Sequence, residues 1–265
     1  MIVTCTYFRI DAGSPLRLRR TDPGNVVAVA DPAIVLAVPE RRCEAARMTA
    51  QPAPGADAEA FWTARYGDAP IWSGAPNASL VDTVAPLSPT RSDHPLRALD
   101  LGSGEGGDAL WLAAQGWHVT AVDIASNALA RGRTEAERVG LGDRVTWVQA
   151  DLATWDTDDR FDLVAASFLH SSVSFPRTAV LRRATRLVAP GGHLVVVGHA
   201  GSPSWASHGE HAHAEPLVGP AEQVEQLALD DRWAVEVAEL RTRHIAAPDG
   251  SPATLEDSVV LVRRD

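Results

Sequence analysis

The stretch Asp100-Leu101-Gly102-Ser103-Gly104-Glu105-Gly106-Gly107 decides the fold of this 265-residue chain. It follows an apolar, strand-like run at 96–101 and precedes a helix-like run at 107–115. Glycines are needed where a strand turns tightly into a helix and a ligand touches the backbone, because a Cβ would block that approach. The stretch therefore predicts a ligand-binding loop between a strand and a helix.

Two glycine spacings in this loop predict two different ligands. The first, second and fourth glycines match G-x-G-x-x-G, the fingerprint of dinucleotide binding. The first three glycines, together with Asp100, match D-x-G-x-G-x-G, a pattern of enzymes that use S-adenosylmethionine (SAM). A diphosphate is repelled by acids at the loop, whereas Asp100 and Glu105 suit a ligand that carries an amino group and a sulfonium charge. The acids favour SAM.

Strand-like and helix-like segments alternate on both sides of the loop. The strand-like runs are 96–101, 118–122, 144–149, 161–167 and 193–198, and the helix-like runs are 107–115, 125–139 and 178–188. This alternation predicts parallel pairing with right-handed crossovers. Two further strand-like runs, 233–241 and 255–263, flank Pro248-Asp249-Gly250 and predict an antiparallel hairpin. The sequence predicts an α/β, doubly wound, Rossmann-like fold.

Acidic residues also follow the next two predicted strands. Asp123 lies about twenty residues beyond the glycines, where an acid can accept both ribose hydroxyls of an adenosine cofactor. A negative charge there disfavours NADP, whose 2′-phosphate it would repel. Asp151 follows the third strand, where a carboxylate could receive the adenine amino group, although a solvated loop acid explains it equally well when it is taken alone. Together with Asp100, these acids mark the edge at which open α/β sheets bind ligands.

Composition excludes several classes of function. The formal net charge is −10, which disfavours a protein that wraps nucleic acid phosphates. All 24 basic residues are arginine, so a Walker-type phosphate loop and a pyridoxal-phosphate Schiff base are excluded. The two cysteines have no metal-binding spacing, which is consistent with a reduced, cytoplasmic enzyme.

Residues 1–47 differ in pattern from residues 48–265. Their arginines and the apolar run 26–38 imitate a secretory signal, but Asp31-Pro32 interrupts that run, and it is too short to cross a bilayer. We expect residues 1–47 to be a poorly ordered extension and residues 48–265 to form one domain. Met48 is an alternative true start of the protein.

At these motifs the chain resembles the class I SAM-dependent methyltransferases from about residue 61 to residue 264. The segments Phe61-Trp62, Tyr66-Gly67 and Ile71-Trp72-Ser73-Gly74 resemble the tellurite-resistance and thiopurine methyltransferase-like branch. The resemblance implies a seven-stranded, mostly parallel sheet with an antiparallel last strand. It also implies SAM as cofactor, with Tyr66 and Trp72 forming a lid over it. The cofactor residues that it implies are Asp100, Gly102, Ser103, Gly104, Glu105, Gly106, Asp123, Ile124, Asp151, Leu152 and Ser167.

The residues after the fourth strand limit the chemical classes of methyl acceptor that we expect. The run Ala166-Ser167-Phe168-Leu169-His170 lacks the Asn/Asp-Pro-Pro-Tyr of many exocyclic-amine methyltransferases. No cysteine lies near the motifs, so a covalent cysteine route is excluded. His170 is the candidate general base, although shaping the pocket is an alternative role for it. The expected partner is a small-molecule acceptor, with no nucleic acid and no membrane.

Two other functions stay open at this stage. An NAD-dependent Rossmann oxidoreductase shares the glycine loop, but the chain has no lysine for a Tyr-x-x-x-Lys relay. A non-catalytic SAM-binding domain would retain every cofactor motif. Histidines 199, 208, 211 and 213 lack the spacing of a metal site, so no metal is predicted. The oligomeric state is not predictable from these patterns.

Overall fold

A computed structural model describes residues 18–22, 25–28, 57–87, 95–201, 217–246 and 250–265. The strands are β1 (Leu18–Asp22), β2 (Asn25–Ala28), β3 (Arg97–Leu101), β4 (His118–Asp123), β5 (Val145–Gln149), β6 (Phe161–Ser167), β7 (Val188–His199), β8 (Trp233–Ala246) and β9 (Pro252–Arg264). The α-helices are α1 (Ala58–Tyr66), α2 (Ala78–Val84), α3 (Gly107–Ala114), α4 (Ser126–Arg138), α5 (Arg177–Leu187) and α6 (Pro220–Leu227).

Seven of these strands form one sheet in the order β5-β4-β3-β6-β7-β9-β8. The pairs from β5 to β7 are parallel, and β9 runs antiparallel to both β7 and β8. The predicted α/β, Rossmann-like fold with an antiparallel last strand is confirmed. The strand order reverses between β3 and β6, and open α/β sheets bind ligands in the crevice beyond the carboxyl ends of the strands at such a point. The glycine loop follows β3 directly.

Helices cover both faces of the sheet because the central strands are apolar on both sides. Leu181 and Leu227, from α5 and α6, pack in a cluster against one face. Leu80 and Leu112, from α2 and α3, pack in a second cluster on the other face. These four side chains are almost completely buried. Burial of this kind is the dominant favourable contribution to folding, and here it fixes the strand ends that carry the site.

The predicted segments and the observed ones differ at two places. β7 begins at Val188 rather than at residue 193, since Val188 pairs with Phe161 before an irregularity in the register. The sequence did not predict α6, because most of its residues are polar and only Val224 and Leu227 pack into the hydrophobic cluster. The predicted hairpin between β8 and β9 is confirmed, although Pro248-Asp249 lies outside the described residues.

Within the predicted extension 1–47, β1 and β2 pair in an antiparallel hairpin in which Arg20 faces Val26. The rest of that segment lies outside the described residues. Across the described part of the chain, none of the helices combines the length and apolar character needed to span a bilayer.

Candidate cofactor and acceptor site

The glycine loop is folded over the carboxylate that ends β4. Asp123 is buried, its Oδ2 accepts a hydrogen bond from the Gly104 N–H at 2.8 Å, and its Oδ1 accepts one from the Ala125 N–H at 2.8 Å. Gly102 and Gly104 have φ values of +74° and +53°, which side chains rarely adopt. Asp123 therefore fixes the loop conformation, and its remaining lone pairs are available to ligand hydroxyls.

The space above two of the glycines is closely occupied. A Cβ on Gly104 would lie 2.6 Å from the hydroxyl oxygen of Tyr66, and one on Gly102 would lie 2.7 Å from Leu169 Cδ1. A Cβ on Gly106 would collide with the indole of Trp147, which packs beneath the loop from β5. The missing side chain of Gly106 thus makes room for a protein ring, and its cofactor role stays a prediction.

The carboxyl group of Asp100 lies behind the loop with an incomplete set of partners. The residue is 2% exposed, and its Oδ2 has no hydrogen-bond partner among the described residues. Burial, and after it the charges of Asp108 and Asp123, raise the pKa of Asp100 well above its ordinary value. A buried carboxylate oxygen without a partner is costly, which indicates a cationic group that the site is built to receive.

Asp108 is a site residue that the sequence analysis missed. Its Oδ1 accepts a hydrogen bond from the Asn77 N–H at 2.6 Å. Burial raises its pKa, while the hydrogen bond from the Asn77 amide opposes that shift. Asp108 thereby links the start of α2 to the first turn of α3, a role that only the three-dimensional packing reveals. Ser167 lies at the predicted place, at the end of β6.

The predicted lid is tied to the glycine loop by Glu105. Its carboxylate accepts hydrogen bonds from the N–H groups of Ile71 at 3.4 Å and Trp72 at 3.2 Å. Arg131 of α4 pairs with the same carboxylate at 2.7 Å. Glu105 therefore tethers the lid segment to the loop, and its predicted cofactor contact stays a prediction.

Tyr66 and Trp72 lie together over the loop, as the lid hypothesis expects. Tyr66 is buried, and that burial, reinforced by the charge of Asp123, raises the pKa of its hydroxyl. Trp72 is 55% exposed, so it covers the site from the solvent side.

The predicted adenine side follows the same sheet edge. Asp151 follows β5, and its Oδ1 accepts a hydrogen bond from the Ala153 N–H at 2.8 Å. Leu152 is 6% exposed and belongs to the hydrophobic cluster on the α5 face. Ile124 follows Asp123 and is partly exposed. The fold thus brings the ends of β3, β4 and β5 to one edge, as predicted, while ligand contacts of these three residues stay predictions.

His170 contacts β7, and its role as general base stays a prediction. Its Nε2 accepts a hydrogen bond from the backbone N–H of His199 at 3.2 Å. That lone pair is committed to β7, so in the neutral ring the proton lies on Nδ1 and the side chain acts as a donor. Phe168, two residues earlier, has φ +49°, a strained conformation that bends the chain over the site. The histidines at 208, 211 and 213 lie outside the described residues.

The site residues fit SAM. The amino-acid end of that molecule carries an ammonium and a carboxylate, which match the unpartnered Asp100 Oδ2 and the unpartnered, buried Ser103 hydroxyl. A dinucleotide diphosphate would instead meet the two buried carboxyl groups of Asp100 and Asp123.

Comparison with known proteins supports this assignment at the level of sequence. Residues 98–192 match the methyltransferase domain family. The ubiquinone/menaquinone biosynthesis C-methyltransferase UbiE of Rhodopseudomonas palustris is 34% identical over 118 residues, which are 42% of this chain and 46% of that protein. A tRNA1(Val) (adenine(37)-N6)-methyltransferase of Glaesserella parasuis is 34% identical over 91 residues, 32% of this chain and 39% of that protein. The chain thus spans about half the length of the curated relatives that it matches.

Solved structures share the fold at lower identity. TehB from Haemophilus influenzae is 17% identical, with a TM-score of 0.54 over 78% of this chain and 67% of that one. The N-methyltransferase NodS from Bradyrhizobium japonicum WM9, solved with S-adenosyl-L-homocysteine, is 16% identical, with a TM-score of 0.53 over 78% of this chain and 99% of that one. Identities this low show a common fold, so the narrower tellurite-resistance branch stays a prediction. The domain match at residues 98–192, the sheet order and the glycine loop together identify a class I SAM-dependent methyltransferase domain within this chain.

Proposed function

We propose that this protein transfers the methyl group of SAM directly to a nucleophilic atom of a small molecule. The observation that carries the proposal is the buried, unpartnered carboxylate oxygen of Asp100 directly behind the glycine loop. A cationic cofactor bound in the crevice where the strand order reverses would offset the cost of burial and draw this carboxyl group into its ionised form.

The chain's own residues bind and orient the cofactor under this proposal. SAM supplies a methyl group that its sulfonium charge has already activated. Asp100 and Ser103 would hold the amino-acid end, and Asp123 would accept hydrogen bonds from the ribose hydroxyls. Asp151 and Leu152 would border the adenine. The remaining catalytic work is alignment of the acceptor and exclusion of water, which the Tyr66 and Trp72 lid is placed to perform.

Three observations favour a small acceptor over a macromolecule. The net charge of −10 opposes binding of nucleic acid phosphates. The lid segment at 67–76 is fastened over the loop by Glu105, which narrows access from that side. The UbiE relatives act in ubiquinone and menaquinone biosynthesis, according to their names. The tRNA-modifying relative matches over only 39% of its own length, so its acceptor specificity does not transfer with that match.

An acceptor screen tests the proposal. The protein is incubated with SAM and, separately, with thiols, selenite, tellurite, phenols, amines, RNA and DNA, and formation of S-adenosylhomocysteine is measured. We expect turnover with at least one class of small molecule. Turnover with nucleic acid or protein alone would contradict the proposed acceptor class. The matched control is Asp100→Asn, which removes the charge behind the loop and should abolish turnover with every acceptor.

A further inference from the structure

The edge strand β8 has no role in the function described so far. It is the last strand of the seven-stranded sheet, and it pairs with β9 alone among the strands that the structure describes. β8 has 14 residues, whereas β5 at the opposite edge of the sheet has five. The outer side of an edge strand carries a row of backbone N–H and C=O groups that can template pairing with another chain. β8 is therefore the longer of the two edges open to such pairing.

A regular segment of β8 begins after an irregularity. The register with β9 shifts between Val235 and Val237, and from there to the end of β8 the pairing is regular. A bulge of this kind bends and twists an edge, so it interrupts pairing with a further strand. Residues 237–243 lie beyond it, and seven residues are enough for a strand pair. At the centre of this segment, Leu240 is 51% exposed.

Two opposite charges flank Leu240 on the other face of the sheet. The Arg241 Nε lies 2.7 Å from the Glu239 Oε1, and the Glu239 side chain is 54% exposed. Arg241 Nη1 also donates hydrogen bonds to the Ser79 carbonyl oxygen at 3.0 Å and to the Thr83 hydroxyl at 2.8 Å. These bonds to α2 fix the guanidinium at the edge of the sheet. The segment thus presents an acid, a leucine and an arginine in consecutive positions.

We propose that this segment pairs antiparallel with the same segment of a second copy of the chain, with Leu240 opposite Leu240 on the two-fold axis. Most dimers of identical chains have such an axis, and it requires a surface that is complementary to itself. An axis at Leu240 places Glu239 of each copy opposite Arg241 of the other. The four side chains then alternate in charge around the axis, and within 237–243 no two like charges face each other.

Other axes within 237–243 are less favourable. Facing residues of an antiparallel pair lie on the same face of the sheet, so the two-fold axis has to pass through a residue position. An axis at Glu239, Arg241 or Arg243 places a charge opposite its own copy, and an axis at Thr242 places Arg241 opposite Arg243 twice. Like charges directly opposite each other destabilise a strand pair. An axis nearer the start of the segment would pair residues across the bulge.

The pairing would join the two sheets into one continuous sheet. Because β8 of one copy would run antiparallel to β8 of the other, the carboxyl ends of the parallel strands in the two copies would face opposite directions. Both glycine loops would stay clear of the interface, since β3 lies four strands away from β8 in the sheet order. The inference therefore does not depend on the proposed function.

Sedimentation equilibrium tests the proposed dimer. A single strand pair makes a small interface, so we expect a dimer at about 200 μM that dissociates on dilution toward about 1 μM. Glu239→Arg would gather four arginines around the axis and should raise the dissociation constant at least about tenfold. Glu137→Arg makes the same change in charge at an exposed position of α4 and should leave the dissociation constant unchanged. A parent protein that is monomeric at about 200 μM, or equal effects of the two variants, would overturn the inference.

Cross-linking tests the register. Cys5 and Cys43 are first replaced by serine, and Leu240→Cys and Ala238→Cys are then made separately. Both positions are exposed and lie on one face of β8. Facing residues have Cβ atoms about 4.5–5.5 Å apart, so Leu240→Cys should give a disulfide-linked dimer on mild oxidation. The two copies of Ala238→Cys would lie four positions apart, roughly 13 Å along the strands, and should not cross-link.

The outcome with the two cysteine variants is decisive for the axis. Cross-linking at 240 with none at 238 would support it. Cross-linking at 238 alone, equal cross-linking at both positions, or none at 240 in a protein that sediments as a dimer would overturn it. Urea unfolding of each variant checks its fold, and substitutions at exposed positions such as these should change the unfolding midpoint little.

Discussion

The Glu105 carboxylate and the Arg131 guanidinium form an ion pair, with Oε1 and Nε 2.7 Å apart, and together they join the glycine loop to the lid. Arg131 also donates hydrogen bonds to the carbonyl oxygens of Tyr66 and Gly67 at 3.1 Å, where α1 ends. Glu105 accepts from the backbone of the lid segment itself. One pair of side chains therefore sets the position of the lid relative to the cofactor loop.

Removing this pair should loosen the lid. Arg131→Ala leaves the mostly buried Glu105 carboxylate without its cation, which should lower the free energy of unfolding by about 1–3 kcal/mol. Hydrogen exchange at 67–76 should accelerate and SAM affinity should fall. Arg138→Ala, which breaks the exposed pair with Glu135 on the same helix, should cost at most about 0.5 kcal/mol and leave exchange at 67–76 unchanged. Equal effects of the two variants would contradict the tethering role.

Gly104→Ala should interfere with Tyr66. The new Cβ would stand 2.6 Å from the Tyr66 hydroxyl oxygen, and the φ of +53° adds roughly 1–2 kcal/mol of backbone strain. Gly74→Ala is the matched control, because Gly74 has φ +76° and nothing within 4 Å of the Cβ position. Urea unfolding should show a larger loss for Gly104→Ala, and adding Tyr66→Phe should recover part of the difference. No recovery would show that Tyr66 does not limit this position.

Stability without cofactor should fall as the pH rises above about 4. The pKa of Asp100 is raised in the folded protein above its ordinary value of 3.8, so the folded state binds more protons than the unfolded state between those two values. Asp108 and Asp123 shift in the same direction. Asp100→Asn should therefore make the cofactor-free protein more stable at neutral pH and flatten its pH dependence, as measured by urea unfolding across a pH series. A steeper dependence in the variant would be inconsistent with a protonated Asp100.

His170→Ala should have a modest and nearly pH-independent effect on turnover. In the parent, Nε2 of His170 accepts a hydrogen bond from the backbone N–H of His199 in β7. We expect the variant to lose this hydrogen bond rather than a group that removes a proton. We expect a loss below about tenfold, against the 10²-fold or more expected of a general base. A loss of 10²-fold or more that grows as the pH rises would restore His170 as the base.

The sheet and the cofactor edge were predictable because they depend on local pattern. Strand–helix alternation, the glycine spacing and the acids at 100, 123 and 151 are all readable along the chain. The tethering role of Glu105 was not predictable, because the N–H groups that it binds belong to Ile71 and Trp72, which lie 34 and 33 residues away in the sequence. Likewise, His199 and Asp257 meet only because β9 inserts beside β7, and no local signal in the sequence links residues so far apart. His170 was chosen from its position after β6, which gives the location of a side chain but not its orientation.

Isothermal titration calorimetry with SAM, S-adenosylhomocysteine and NAD tests the central claim most directly, namely that the loop after β3 binds SAM. We predict saturable one-site binding of SAM and S-adenosylhomocysteine and no heat with NAD. Asp123→Ala should weaken SAM binding by roughly 1.5–3 kcal/mol, the loss expected for a charged hydrogen-bond acceptor. Binding of NAD with no binding of SAM, or equal SAM affinity in Asp123→Ala and the parent, would contradict the account.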